Sequence, residues 1–95
     1  MDYYKEIKNK LIDNEIYERV KDYSKERNRL NTYYEVGKLL SEAGKHYGEG
    51  IIKEYSLKLT NELGKKYSYR SLNYMLRYYK FQKMQPLAAN FMLKK

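Results

Sequence analysis

The sequence contains no cysteine and no tryptophan, and it has a single proline and a single histidine. Without cysteine the chain can form neither a disulfide framework nor a thiolate metal site. With His46 alone it cannot assemble a two-histidine metal site or a Ser-His-Asp triad. The cluster Gly44, Gly48 and Gly50 lacks the Gly-Lys-Ser/Thr that follows in a phosphate-binding loop. The sequence therefore predicts no cofactor, no metal and no catalytic activity of its own.

Long apolar runs are also missing. No stretch approaches the roughly 18 consecutive residues that a membrane span needs, and the N-terminal Met-Asp-Tyr-Tyr-Lys does not have the pattern of a signal peptide. β-branched residues are sparse, and no alternation of apolar and polar residues persists, so no sheet is predicted. We therefore expect an all-α protein in the cytoplasm, without a membrane partner.

Tyrosine and positive charge are present in excess. The chain has 13 Tyr against 2 Phe, which suits a core margin or a binding surface, although the codon bias of an AT-rich genome explains the excess equally well. The formal charge is +8, of which residues 1–48 carry +1 (10 Lys/Arg minus 9 Asp/Glu) and residues 49–95 carry +7 (10 minus 3). This one-sided basic balance predicts a polyanionic partner, nucleic acid first.

The apolar residues recur at helical spacing along one short chain. Residues 1–95 fit a single domain, predicted as a small bundle of four to five helices. Residues 1–43 form the N-terminal helices: Asp2 caps the first, Asn14 interrupts it, and a longer second helix runs from about Ile16 until Gly44 ends it. Gly37 inside that helix predicts a kink or a close helix–helix approach. Because so small a domain has modest stability, a homodimer stays open.

Residues 49–83 have the layout of a helix-turn-helix. After a loop from Lys45 to Gly50, one helix runs to Leu63 and is stopped by Gly64. Ser68 then caps the next helix, from residue 69 to about 83, ahead of the only proline. Residues 87–95 form an apolar tail, predicted either to fold back on the core or to pack on another chain.

The second helix of this pair is predicted to bind nucleic acid. Its leucines, a methionine and a tyrosine at positions 72, 75, 76 and 79 share one face, so its arginines point the opposite way. Arg can bind guanine or phosphate, Asn can pair with adenine, Tyr can reach a phosphate or stack on a base, and Lys can neutralise phosphates. The predicted binding residues are Lys65, Lys66, Tyr69, Arg70, Asn73, Tyr74, Arg77 and Lys80.

Three parts of the chain resemble a known family. They are a Tyr-Tyr-Glu-Val-Gly element that ends at Gly37, the pair Tyr47 and Gly48, and the stretch from Ile52 to Tyr79. Together they resemble the N-terminal domain of the YhcG family, with its Tyr-Trp-x-Ile-Gly, Tyr-Gly, Leu-Ser-x-x-Leu and Gly-x-x-Phe-Ser-x-x-Asn-Leu-x-x-Met-x-x-Phe-Tyr elements. The resemblance covers about residues 16–82.

What the resemblance implies is DNA binding without a catalytic centre. In that family the helical domain is thought to bind DNA and usually precedes a nuclease-like domain of the PD-(D/E)xK type. This chain ends where that domain would begin, so a stand-alone or truncated binding half is expected. Tyr34 and Tyr67 replace the family's Trp and Phe and keep the aromatic shape, while Tyr55 replaces Leu and Ser71 replaces Asn.

Two functions from different classes follow from this sequence. The first is a nucleic-acid-binding helix-turn-helix module, with DNA favoured over RNA. The alternative is a small inhibitor or adaptor of a phage or mobile element, which binds a host protein or a nucleoprotein complex such as a CRISPR effector; exposed Tyr and Arg suit protein interfaces as well. Binding to a membrane surface is disfavoured, because the apolar face of the last helix is needed for the core.

Overall fold

The computed structural model describes residues 2–20 and 25–84, and this part of the chain is almost entirely helical. No strand occurs in it, so the all-α prediction is confirmed. The predicted tail, residues 87–95, lies outside the described residues. The helices are α1 (Tyr3–Val20), α2 (Lys25–Tyr47), α3 (Gly50–Leu63) and α4 (Tyr69–Met84), and a short 3₁₀ turn (Lys65–Tyr67) lies between α3 and α4.

Helix α1 begins as predicted but is longer. The carboxylate of Asp2 accepts a hydrogen bond from the backbone N–H of Lys5 at 3.1 Å, which is the expected N-cap contact. The interruption predicted at Asn14 is wrong, because α1 continues through it, and Ile16 and Val20 therefore belong to α1 instead of the second helix. The Asn14 side chain bonds to neighbouring side chains and leaves the helical backbone intact.

Helix α2 does not end at Gly44, as the sequence predicted. It continues to Tyr47, and Gly48 ends it with a φ of +93°, a conformation that other residues rarely adopt. The N–H of Gly48 donates to the carbonyl of Gly44 at 2.8 Å. The loop predicted from Lys45 to Gly50 is thus reduced to Gly48 and Glu49, because α3 already begins at the next residue.

Helix α2 is the central element of the bundle, since it packs against α1, α3 and α4. Gly37 lies where α2 meets α4: a Cβ atom added there would lie 2.3 Å from the Met75 carbonyl oxygen and 2.6 Å from the Tyr79 Cβ. Of the two explanations offered for Gly37, the close helix–helix approach is the one observed. The largest fully buried side chains among the described residues are Ile7, Leu11, Val36, Leu40, Leu59 and Leu72.

A cluster of hydrogen-bonded polar side chains lies between α1 and α2. The Asn28 Nδ2 donates to the Asn14 Oδ1 at 2.7 Å, and the Asn14 Nδ2 donates to the Glu18 carboxylate at 3.2 Å. The hydroxyl of Thr32, a buried residue, donates to the backbone carbonyl of Asn28 at 2.9 Å. These half-buried groups therefore have partners, as burial of polar atoms requires.

A second polar cluster joins α1 to α3. The Glu62 carboxylate accepts a hydrogen bond from the Tyr4 hydroxyl at 2.6 Å and forms an ion pair with Lys8 at 2.8 Å. The bonds from Lys8 and Tyr4 lower the pKa of Glu62. Burial and the same carboxylate raise the pKa of the Tyr4 hydroxyl.

Candidate nucleic-acid interface

The connection from α3 to α4 contains the helix-ending glycine and the helix-capping serine that the sequence predicted. Gly64 follows α3 with a φ of +114°, and its N–H donates to the carbonyl of Thr60 at 3.1 Å. Ser68 precedes α4 in an extended conformation, with its Oγ 3.4 Å from the backbone N–H of Ser71. The predicted ends of both helices are therefore correct to within one residue. Helix α4 packs more extensively against α2 than against α3, so α2 sets its orientation.

The inner face of α4 is buried as predicted. Met75 and Leu76 contribute to the core, and Tyr79 meets the ring of Tyr34 edge to face at 5.0 Å. With these side chains turned inward, Arg70 and Arg77 lie on the exposed side of the helix. The residues that fix this orientation are Leu72, Met75, Leu76 and Tyr79.

We call Arg70, Tyr74, Arg77 and Phe81 the outer stripe of α4. Their spacing of four, three and four residues places them in one line along the helix. Tyr74 is 52% exposed and Phe81 is 58% exposed. Neither arginine forms an ion pair within the part of the chain that the structure describes. Helix α4 contains no acidic residue, and no Asp or Glu follows Glu62 in the sequence.

Two clefts flank α4, and they divide the predicted binding residues between them. The first, which we call the Glu15 cleft, has a volume of about 430 Å³, and carboxylates of α1 lie in it beside cations. The second, the Lys45 cleft, has a volume of about 470 Å³ and lies between α4 and the C-terminal end of α2. Lys66, Arg70 and Tyr74 line the first; Tyr69, Asn73, Arg77 and Lys80 line the second; Lys65 is exposed and lines neither.

The Glu15 cleft is held together by a polar contact that sequence reasoning missed. The Tyr67 hydroxyl donates a hydrogen bond to the Glu15 carboxylate, and Lys66 forms an ion pair with that carboxylate at 3.5 Å. Burial and the nearby carboxylate raise the pKa of Tyr67. The positive charge of Lys66 is therefore partly compensated by Glu15, which makes Lys66 a weaker phosphate ligand than a free cation.

The Lys45 cleft is more strongly basic. Lys45 comes from α2, whereas Arg77 and Lys80 come from α4, and Glu49 is the acidic residue that lines it. Lys45 was missed because the sequence placed it in a loop, and its place beside α4 depends on how α2 crosses that helix. Asn73 is only half exposed, so less of its amide is available to a ligand than the sequence suggested.

Two other features that bear on function, a metal-binding cluster and a membrane-spanning helix, are absent from the described residues. Across positions 2–20 and 25–84, no group of three His, Cys, Asp or Glu side chains could hold a metal ion. None of the helices described here has the length and apolar character needed to cross a membrane. The single histidine, His46, meets the rings of Tyr3 and Tyr47 edge to face, at 6.1 Å and 5.4 Å between centroids.

The chain matches a known protein family. Residues 6–93 match the protein family described as the DUF1016 N-terminal domain. The match includes all of α2, α3 and α4 and most of α1. No curated protein and no solved structure matches the chain.

Proposed function

The chain belongs to the DUF1016 N-terminal domain family, the YhcG-like region that its sequence resembles, and from that premise we propose that it is a nucleic-acid-binding module, with DNA the favoured ligand. The binding surface is the outer stripe of α4 together with the adjoining Lys45 cleft. In this proposal α3 and α4 act as the two helices of a helix-turn-helix, and α4 contacts the ligand.

The proposal rests on the charge of α4. This helix carries two arginines and two lysines without a single carboxylate, and its cations are exposed. Nucleic-acid affinity is supplied largely by cations that neutralise phosphates and release condensed counterions. An exposed arginine without an ion-pair partner loses no internal contact when it binds a phosphate, and Arg77 meets this requirement within the described residues.

Each side chain has a separate role in this proposal. Arg77, Lys80 and Lys45 contact phosphates, since they line one cleft and contribute three positive charges to it. Arg70 contributes a further cation at the N-terminal end of the outer stripe. Tyr74 offers its ring to a base or its hydroxyl to a phosphate oxygen.

The test compares two variants that lose the same charge. Arg70→Ala/Arg77→Ala removes two cations from the outer stripe, whereas Lys5→Ala/Lys53→Ala removes two exposed cations from α1 and α3. Binding to duplex DNA, single-stranded DNA and structured RNA is measured by fluorescence anisotropy at several salt concentrations. We expect only the first variant to bind weakly, with a duplex salt slope smaller by about two units, as the loss of two phosphate contacts requires.

If both variants bound every ligand as tightly as the parent chain does, the proposal would be contradicted, provided that circular dichroism shows both variants to be folded. Equal losses in the two variants would also contradict it, because net charge would then matter and the outer stripe would not.

A second candidate function is supported by the apolar exposure of α4. Tyr74, Arg77, Tyr78 and Phe81 line a shallow open hollow, and aromatic residues with Arg are enriched in protein interfaces. This composition fits an inhibitor or adaptor that binds a host protein or nucleoprotein complex such as a CRISPR effector. Binding to a purified complex of this kind, lost on Phe81→Ala and without any shift of free nucleic acid, would favour it.

Lack of catalytic activity, cytoplasmic location and homodimer formation stay predictions.

A further inference from the structure

We infer that the outer stripe of α4 binds single-stranded nucleic acid in preference to a duplex, with its aromatic rings stacked on unpaired bases. This inference rests on the proposed function and specifies its ligand. It follows from three features of the structure: the exposure of the rings, their alternation with cations along the helix, and the different charge of the two clefts beside them.

The first feature is the exposure of aromatic rings. Tyr74 and Phe81 are more than half exposed, and Tyr69, at the start of α4, is 48% exposed. Phe81 has no polar side-chain atom, so it cannot donate to a phosphate or to a base edge, and the contact left to it is apolar or stacking. Base faces are covered by neighbouring pairs in a duplex and are accessible in a single strand, where aromatic stacking is a main source of affinity.

The second feature is the order of side chains along the outer stripe. Arg70, Tyr74, Arg77 and Phe81 alternate cation and ring, and the first and last are 11 positions apart, which at 1.5 Å per residue is about 16 Å of helix. A single strand presents phosphates and unpaired bases in the same alternation along its length. The guanidinium groups can also stack on bases, so every member of the outer stripe suits this ligand.

Helix α4 also has few exposed side chains suited to hydrogen-bond the base edges of a duplex, which favours a single-stranded ligand as well. Asn73, the residue of α4 best suited to pair with adenine in a major groove, is half-buried in the Lys45 cleft. Stacking is tolerant of sequence because every base has a π-face. We therefore expect little discrimination between base sequences.

The third feature is the contrast between the two clefts, which defines a path for the backbone. Glu15 and Glu18 line the cleft on one side of the outer stripe and offset two of its three positive charges, so that cleft attracts phosphates less strongly. Lys45 and Lys80 line the cleft on the other side and attract them. A strand whose bases cover Tyr74 and Phe81 therefore places its phosphates toward the Lys45 cleft.

The experiment uses the full chain and three probes of equal length: oligodeoxythymidine, its duplex with oligodeoxyadenosine, and an abasic strand that keeps the phosphates but has no bases. We expect the tightest binding to oligodeoxythymidine and weaker binding to the other two. Phe81→Ala should weaken binding to oligodeoxythymidine about 5- to 150-fold, the effect of losing one stacked base, and leave binding to the abasic strand unchanged. Phe81→Tyr, which keeps the ring, should bind as tightly as the parent chain.

The matched control is Leu57→Ala. Leu57 is an exposed apolar side chain of α3, 65% exposed, and its loss should leave all three affinities unchanged. Equal or tighter binding to the duplex, or an unchanged affinity of Phe81→Ala for oligodeoxythymidine, would overturn this inference while leaving the proposed function in place. Absence of binding to any nucleic acid would overturn both.

Discussion

Gly37 sets how closely α2 and α4 approach each other. A Cβ atom at this position would overlap the Met75 carbonyl oxygen, at 2.3 Å, and the Tyr79 Cβ, at 2.6 Å. One of these contacts is backbone, so the helices themselves would have to separate to accommodate a methyl group. The absence of a side chain at one residue thus holds α4, and with it the outer stripe, against the centre of the bundle.

We predict that Gly37→Ala lowers the free energy of unfolding by about 1–3 kcal/mol, the usual cost of adding a methyl group to a filled interior. Urea denaturation followed by circular dichroism measures this change. The matched control is Gly44→Ala in the same helix, where an added Cβ meets nothing within 4 Å. This control should gain about 0.5–1 kcal/mol, because alanine favours the helix more than glycine does. If Gly37→Ala were as stable as Gly44→Ala, the close approach would be wrong.

Glu62 links the stability of the fold to acid pH. Bonds from Lys8 and Tyr4 lower the pKa of its carboxyl below the ordinary value of 4.5 in the folded state. A lowered folded-state pKa means that the carboxylate stabilises the fold above pH 4.5, and that this stabilisation is lost as the pH falls through the lowered pKa.

We predict that Glu62→Gln is less stable than the parent chain at neutral pH, and that the difference shrinks well below pH 4.5. Thermal midpoints at the two pH values measure this. Glu54→Gln, at an exposed position of α3 without an ion pair in the described residues, serves as control and should show no such dependence. A difference between Glu62→Gln and the parent chain that is equal at both pH values would contradict the prediction.

At the scale of the element, α4 has two unlike sides, and its two arginines differ accordingly. Arg70 lines the cleft that holds Glu15 and Glu18, whose charges offset its own. Arg77 lines the cleft that holds Lys45 and Lys80, so its field adds to theirs. Arg70 therefore lies in a less positive environment than Arg77, because its cleft holds two carboxylates and the Lys45 cleft holds one, against three cations in each.

From this difference we predict that Arg77→Ala weakens nucleic-acid binding more than Arg70→Ala does. Each variant should lose about one unit of salt slope, as the loss of one phosphate contact requires, and Arg77→Ala should lose more affinity than Arg70→Ala. Anisotropy titrations of the two single variants at one salt concentration decide the order. A larger loss for Arg70→Ala would show that the carboxylates of α1 do not set the binding side.

The helices differ in how well their ends could be predicted. Gly64 ends α3 through its own backbone conformation, and Ser68 caps α4 through its own hydroxyl. The local sequence was therefore sufficient to predict these two helix ends. Asn14 and Gly44 carry the same kind of signal, but both lie inside helices. Asn14 finds partners in Glu18 and Asn28, and a single glycine costs a helix only about 1 kcal/mol, which the packing of α2 outweighs.

At the scale of the whole molecule, the sequence predicted the face of α4 but not its surroundings. Spacing within one helix determines that Leu72 lies inside and Arg77 outside. The division of the site depends on Glu15 and Lys45, which come from other helices and are far away in the sequence. Their positions beside α4 depend on how α1 and α2 pack, and no pattern within α4 contains that information.

The contact between Asn14 and Asn28 fixes more than two side chains. Sliding α1 along α2 by one turn would move these amides about 5 Å apart and leave them without their mutual bond, so this contact favours the observed register of the two helices. Glu15 is the next residue along α1, so the same register, together with its contacts to Tyr67 and Lys66, keeps its negative charge beside α4. In the proposed complex, the contrast in charge between the two flanks of α4 therefore depends in part on an amide pair that the bound polyanion does not touch.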